Sequence, residues 1–140
     1  MTAGDVVDPT TPGPAVRAVR AVRGATQVDV DEKEHVLAVT RDLVAEVMEV
    51  NKLLPEDVIS IVFSATRDVS SVAPALAARQ LGLNEPALLC LQEMHVEGAM
   101  PRLVRLLAHV ETELTTSQLQ NVYHRGTDVL RQDVPVIPKD

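Results

Sequence analysis

The chain has 140 residues, enough for one domain with a real hydrophobic core, since chains of that size bury roughly two-thirds of their unfolded surface. Apolar residues make up 46% but aromatics only 1%, with one Phe, one Tyr and no Trp, so the core must be aliphatic. The net charge of −7 argues against general nucleic-acid binding, which needs a basic face and often stacking aromatics, and the single cysteine excludes an internal disulfide framework and any multi-cysteine zinc motif.

Anionic small molecules are not excluded, because ten of the thirteen basic residues are Arg, which grips carboxylates bidentately and keeps its charge when partly buried. No apolar run approaches the length of a membrane span. The N-terminus lacks a basic start and an apolar signal core, so the expected location is the cytoplasm.

Residues 1–14 (MTAGDVVDPTTPGP) are rich in Pro, Gly and Thr, lack periodicity and read as a tail. In the following AVRAVRAVRGATQV, the Val content and Gly24 favour a strand. Such a strand puts Arg17, Val19, Ala21 and Arg23 on one face and Val16, Ala18, Arg20 and Val22 on the other. Its three-residue repeat alone equally allows a short helix. Asp31 and Glu34 resemble a capping pair. The spacing of Val36, Leu37, Leu43, Val44, Val47 and Met48 predicts an amphipathic helix over residues 32–51.

Pro55 ends that region, and VISIVF (58–63) reads as a buried strand. SATRDVSS is a polar loop. Pro74 suits the first turn of a short helix PALAARQL that Gly82 can close. PALLCLQEM (86–94) predicts another strand and EGAMP a turn. RLVRLLAHVET (102–112) is ambiguous: Leu, Ala and Arg favour helix, while length and position suit a strand. Thr116 or Ser117 can cap a helix through Tyr123, and residues 127–131 fit a last strand, before a tail at 133–140. Strands alternating with helices make an α/β or α+β domain, here spanning residues 15–132.

Three constellations compete for the chemistry. Cys90, Glu93, His95, His109 and His124 are metal-ligand types. On a strand, however, Cys90 points away from both Glu93 and His95, and no HxxxH or CxxC pair anchors a site, so no metal is expected. A Cys90 nucleophile needs a base and an orienting third group; a small packed thiol is the simpler reading. The third set is Arg23, Arg79, Arg105 and Arg131. Arg23 and Arg105 lie in otherwise apolar stretches, where a charge should be paired or should line a cavity.

The order of motifs VRGATQV (22–28), FSATRDV (63–69), PALAAR (74–79), LCLQEMHVEG (89–98), Arg105 and VYHRGTDVLR (122–131) resembles the monofunctional chorismate mutase family of the Bacillus type. The likeness runs from about Val16 to Arg131. It implies a mixed sheet flanked by helices, assembled as a homotrimeric pseudo-α/β barrel with active sites in the clefts between subunits. It also makes residues 102–112 a strand. The implied reaction is the Claisen rearrangement of chorismate to prephenate, on the route to phenylalanine and tyrosine, with no cofactor.

Such a reaction is unimolecular and requires no nucleophile. The dianionic substrate must be held as a compact chair, while negative charge grows on the ether oxygen and the ring becomes electron-poor. By motif position, the resemblance implies that Arg105 reaches the ether oxygen and a carboxylate. Arg23 and Tyr123 bind the enolpyruvyl carboxylate, and Glu93 accepts from the ring hydroxyl. Cys90 and the backbone around Leu89 line the pocket. Arg79 closes over the outer carboxylate from a neighbouring subunit with Ala73 and Ala75 as its wall, and Leu130 and Arg131 join a C-terminal lid. The chain departs from the family at Ala73, where an aromatic is common, at Leu76 (lysine), at Arg67 (proline) and at His95 (an acid). The alternative reading is a trimeric binding or sensor protein for small carboxylates.

Overall fold

The structure is a computed structural model that describes residues 16–133. The expected tails, 1–14 and 133–140, lie outside the described residues apart from residue 133. The elements are β1 (Ala18–Gln27), α1 (Lys33–Val50), a 3₁₀ turn (Pro55–Asp57), β2 (Val58–Ala65), α2 (Ala75–Gln80), β3 (Ala87–Gln92), β4 (Leu103–Thr112), β5 (Val122–Tyr123) and a 3₁₀ helix (Thr127–Asp133). The five strands form one mixed sheet in the order β3-β2-β4-β1-β5. β4 runs antiparallel to both its neighbours, while the β2–β3 and β1–β5 pairs are parallel.

The expected mixed sheet with helices is therefore present, and its pleat explains the core. Val22, Gly24 and Thr26 of β1 share a face with Val104, Leu106, Ala108 and Val110 of β4 and with Ile61 and Phe63 of β2. Against that face α1 lays Leu43, Val44 and Val47, and α2 lays Ala75 and Ala78. A second cluster of Val28, Val36, Val39, Val69 and Val104 extends the packing toward one end. Phe63 and Leu43 are fully buried, and each such side chain contributes about 1.5–3 kcal/mol over leaving it in water. Gly24 lets this packing close. A Cβ there would stand 3.1 Å from Leu106 Cγ and 3.3 Å from Leu43 Cδ1.

Among the described residues the opposite sheet face has no covering helix except near Ala25, where Leu130 of the 3₁₀ helix lines the same cavity. It carries Val19, Ala21 and Arg23 from β1, Leu107 and Arg105 from β4, Val62 and Ser64 from β2, and Leu89 and Leu91 from β3. Val19, Leu89 and Leu91 are all more than half exposed. β2 is thus buried on one face only. Val58, Ile61 and Phe63 face the core, while Ile59, at a register irregularity, is exposed.

Three local expectations are overturned. Asp31 does not cap α1; the N-cap is Glu32, with no side-chain cap bond. The Asp31 carboxylate instead accepts from Ser70 N, Ser70 Oγ and Ser71 N at 3.0–3.2 Å, tying the loop after β2 to the start of the helix. No helix runs from residue 116 to Tyr123. Residues 113–121 have too few apolar side chains to form a helical stripe, and Val122–Tyr123 pairs with β1. The connection is latched instead by the buried Asn51, which exchanges bonds with Gln120 N and O at 2.7 and 2.9 Å. Residues 127–131 belong to a 3₁₀ helix rather than a strand. Arg125 (φ 55°) and Gly126 (φ 82°) turn the chain out of the ladder. The buried Thr127 hydroxyl then holds the turn, within 2.7 Å of His124 O and 3.1 Å of Ala25 O.

Candidate active site

The ladder aligns one residue from each of four strands on the uncovered face. Tyr123 lies opposite Ala25, Ala25 opposite Arg105, and Arg105 opposite Ser64. Neighbouring strands are about 4.8 Å apart, so large and small side chains alternate along this row. Ala25 leaves a gap between Tyr123 and Arg105, and Ser64 leaves one on the other side of Arg105. Arg23 stands two residues before Ala25 on the same face.

Glu93 lies one residue past the end of β3, where its N–H donates to Ala65 O at 2.8 Å. It keeps the parity of Leu89 and Leu91 and points to the same face as Arg105. Arg105 Nε is 3.3 Å from Glu93 Oε1, and Ser64 Oγ donates to Glu93 Oε2 at 3.1 Å. The Glu93 side chain is about four-fifths shielded from solvent, the Arg105 side chain about two-thirds. A charge so placed requires a partner, and each supplies one to the other.

Two cavities share Arg105 and Leu130. One, of about 220 Å³, is lined by Arg23, Ala25, Val62, Ser64, Tyr123 and Leu130 together with Arg105. The other, of about 580 Å³, runs from Glu93, Arg105 and Leu130 out to Arg67, His95 and Met100. The site is thus a mainly apolar chamber that carries Arg23 and Arg105, with one carboxylate at its edge, suited to an anionic small molecule. Arg131 places its guanidinium carbon 5.6 Å from the centroid of the Tyr123 ring, a cation–π distance that steadies the ring from the 3₁₀ helix.

The surrounding motifs fix this end of the sheet. In SATRD, Thr66 exchanges backbone and side-chain bonds with Leu103, at 3.0 Å from its N–H to Leu103 O and 2.9 Å from Leu103 N–H to its Oγ1. Asp68 accepts from Arg102 N at 3.1 Å. These bonds fix where β4 begins, and so where Arg105 falls. In HRGT, Arg125 Nε donates to Gln27 O at 2.8 Å and its guanidinium pairs with Asp29. That hydrogen-bonded pairing holds the Asp29 carboxyl below the usual carboxylate range. His124 pairs with Glu46 of α1.

The expected residues divide into two groups. Arg23, Tyr123, Arg105, Glu93 and Leu130 come together around the two cavities, with Arg131 adjoining through Tyr123. Ala73, Ala75, Arg79, Leu89 and Cys90 line neither cavity of this chain. Cys90 lies on the core face opposite Phe63, where its Sγ accepts from Ala75 N–H at 3.4 Å. Ala75 is buried, while Ala73 and Arg79 are exposed. His95 is also exposed; its Nε2 lies 3.4 Å from Arg67 Nη2.

Ser64 carries no catalytic motif of its own in the sequence. Its signal was present, because Ser60, Val62 and Ser64 alternate with the buried Ile61 and Phe63. A hydroxyl on that face near a strand end is a candidate partner for whatever crosses it.

Among the described residues no three His, Cys, Asp or Glu side chains come together to hold a metal ion, and no helix is long and apolar enough to cross a membrane. The chorismate mutase type I family profile matches residues 19–134. The chorismate mutase AroH of Bacillus subtilis is 38% identical over 117 residues, 83% of this chain and 92% of that protein. The AroH enzyme of Thermus thermophilus is 36% identical, again over 83% of this chain and over 96% of its own length. A solved chorismate mutase from Clostridium thermocellum superposes with a TM-score of 0.77 at 36% identity, covering 79% of this chain and 98% of its own.

Proposed function

The chain belongs to the chorismate mutase type I family and is a chorismate mutase, an isomerase of aromatic amino-acid biosynthesis, and from that premise we propose how its side chains carry the reaction. The observation that supports the reading best is the convergence of Arg23, Arg105 and Tyr123 on one cavity, with Glu93 paired to Arg105 at 3.3 Å. Two guanidiniums match the two carboxylates of chorismate in number. The arrangement can therefore hold the dianion as the compact conformer that the rearrangement requires.

Arg105 is the central group. Negative charge on the ether oxygen is small in the ground state and grows as the C–O bond lengthens. A fixed guanidinium at that oxygen thus binds the transition state better than the substrate. Arg23 and the Tyr123 hydroxyl hold the enolpyruvyl carboxylate. Glu93 accepts from the ring hydroxyl and sets a negative charge beside the electron-poor ring. No side chain forms a bond to substrate.

The assembly is the second part of the proposal. An uncovered sheet face bearing Val19, Leu89 and Leu91 is an unstable surface for a lone chain in water. In the homotrimeric barrel it is covered by other copies. Ala73 and Arg79, exposed and remote from the cavities of their own chain, then close the site of a neighbour, with Ala75 packed behind them in the core. On the Glu93 side the backbone around Leu89 borders the site, with Cys90 packed behind it on the core face, and the 3₁₀ helix with Leu130 and Arg131 lies over its mouth. The working location is the cytoplasm.

The test is direct. The purified protein is incubated with chorismate in the presence of a chelator, and chorismate loss and prephenate formation are followed together. Acceleration above the spontaneous reaction is expected. A rate equal to the spontaneous one removes the reading and leaves a carboxylate-binding protein.

A further inference from the structure

β2 separates the two partners of the central ion pair. Glu93 follows β3, Arg105 is on β4, and Ser64 of β2 sits between them, opposite Arg105 and opposite Leu91. A β-branched side chain is the usual occupant of a central strand, as at Val62 one pleat earlier, and at position 64 it would stand where the pair now closes. Serine is short enough to let the two side chains meet above it. Its hydroxyl also takes part, donating to Glu93 Oε2 at 3.1 Å while Oε1 faces Arg105 Nε at 3.3 Å.

We propose that Ser64 is a positioning residue for the rearrangement: it sets the orientation of the Glu93 carboxylate by holding one oxygen, so that Arg105 and substrate meet a carboxylate fixed from two sides. This rests on the role given above to Glu93. A carboxylate bound through one oxygen alone rotates about that contact, and the other oxygen sweeps out a range of positions. Bound through both oxygens to groups on two different strands, it has one orientation. Ser64 also lines the cavity shared by Arg23, Arg105 and Tyr123, so the contact is made at the wall that substrate meets.

The charged groups facing Glu93 set the alternatives. Arg105 approaches from β4, Arg67 and Asp68 from the loop after β2, and His95 stands two residues further along its own segment; all four line the same larger cavity. In Ser64→Ala the carboxylate loses its hydroxyl donor, and nothing on β2 replaces it.

The experiment compares wild type with Ser64→Ala and Ser64→Cys, each also in a Glu93→Gln background, by steady-state kinetics on chorismate, with thermal unfolding as the control. Ser64→Ala is expected to lose about tenfold in kcat, the scale of a hydrogen bond to a charged group, with KM within about a factor of two. Ser64→Cys, which keeps a short unbranched donor, is expected to recover part of that loss. In the Glu93→Gln background the alanine substitution is expected to cost almost nothing, because the two residues act as one unit. Wild-type kcat in Ser64→Ala, or an equal loss in both backgrounds, overturns the proposal.

Crystal structures of wild type and Ser64→Ala make the inference testable apart from turnover. A Glu93 carboxylate that keeps the same orientation in the alanine variant overturns it, whatever the activity. A carboxylate that turns in a protein without turnover supports the positioning and removes the role assigned to Glu93.

Discussion

Arg105 and Glu93 are in contact although their strands are not neighbours: β2 runs between them, and the Nε–Oε1 distance of 3.3 Å is reached across Ser64. The pair does two jobs at once. It compensates two charges that the sheet has taken partly out of water, and it presents a cation at a fixed place in the cavity. If that cation acts mainly on charge that appears in the transition state, its removal separates the two kinetic constants. Arg105→Ala is expected to lower kcat by about a hundred- to a thousandfold, the scale of losing one preorganised donor to a developing oxyanion. KM is expected to change much less. Steady-state kinetics on chorismate check this; a variant that loses only KM places Arg105 in ground-state binding.

Gly24 predicts a stability effect with a definite sign. In open space a strand glycine is worth about 0.5–1 kcal/mol less than alanine, so Gly24→Ala would stabilise. Here the added methyl group meets Leu106 Cγ at 3.1 Å and Leu43 Cδ1 at 3.3 Å. Both leucines are almost wholly buried and have little room to yield. Overpacking of this kind costs about 1–3 kcal/mol, which exceeds the gain. Urea denaturation is expected to show a lower midpoint with an unchanged slope.

How much of this was legible in the sequence depends on the range of the interaction. The β1 faces followed from pleat alternation: Arg23 is exposed and Val22 buried as the pattern required. α1 appeared as Lys33–Val50 within the expected 32–51, because its apolar stripe is long and regular. Residues 102–112 were undecided from propensity, and the strand Leu103–Thr112 agrees with the resemblance. Its helix-forming residues are overridden by ladders on both sides. The failures share a cause. Asp31 resembles a local cap by spacing, but Ser70 and Ser71, some forty residues on, are its partners. The segment before Tyr123 offers a helix cap locally, but Asn51, its anchor at Gln120, is 69 residues away. Ser64, a serine in a strand, acquires a role only when the strand order puts it under an ion pair.

The acidic limb of stability follows from Asp31 and Asp57. Hydrogen bonds from Ser71 and Ser70 hold the Asp31 carboxyl below the usual carboxylate range. The Leu54 N–H, then Arg17, does the same for Asp57, whose carboxylate lies 2.8 Å from that nitrogen. A carboxyl depressed by folding adds stability that is complete above its unfolded value, near pH 4, and is lost as pH falls through the lower folded value. The melting temperature is therefore expected to be flat from pH 7 to about 5 and to fall below about pH 4. Asp57→Asn is expected to melt lower than wild type at neutral pH and to show a shallower decline in acid. Parallel melting curves for the two proteins across that range exclude Asp57 as a contributor.

The assembly proposal has a test that does not depend on size measurement. Arg79 ends α2 and lines neither cavity of its own chain, whereas Glu93 lines the larger one. If each site takes Glu93 from one subunit and Arg79 from its neighbour, the two residues of one chain serve different sites. Arg79→Ala and Glu93→Gln each damage every site of their own homotrimer. Mixed in equal amounts, unfolded and reassembled, the two variants form trimers in which about a quarter of the interfaces bring an intact Arg79 against an intact Glu93, by random pairing in a closed ring. The mixture is then expected to show clearly more activity than either parent, approaching a quarter of the wild-type rate as the parents approach zero. Were both residues to serve one site within a chain, every subunit would carry one defect and mixing would recover nothing. Activity of the mixture equal to the mean of its parents therefore returns Arg79 to the solvent-exposed role that its position in a single chain suggests.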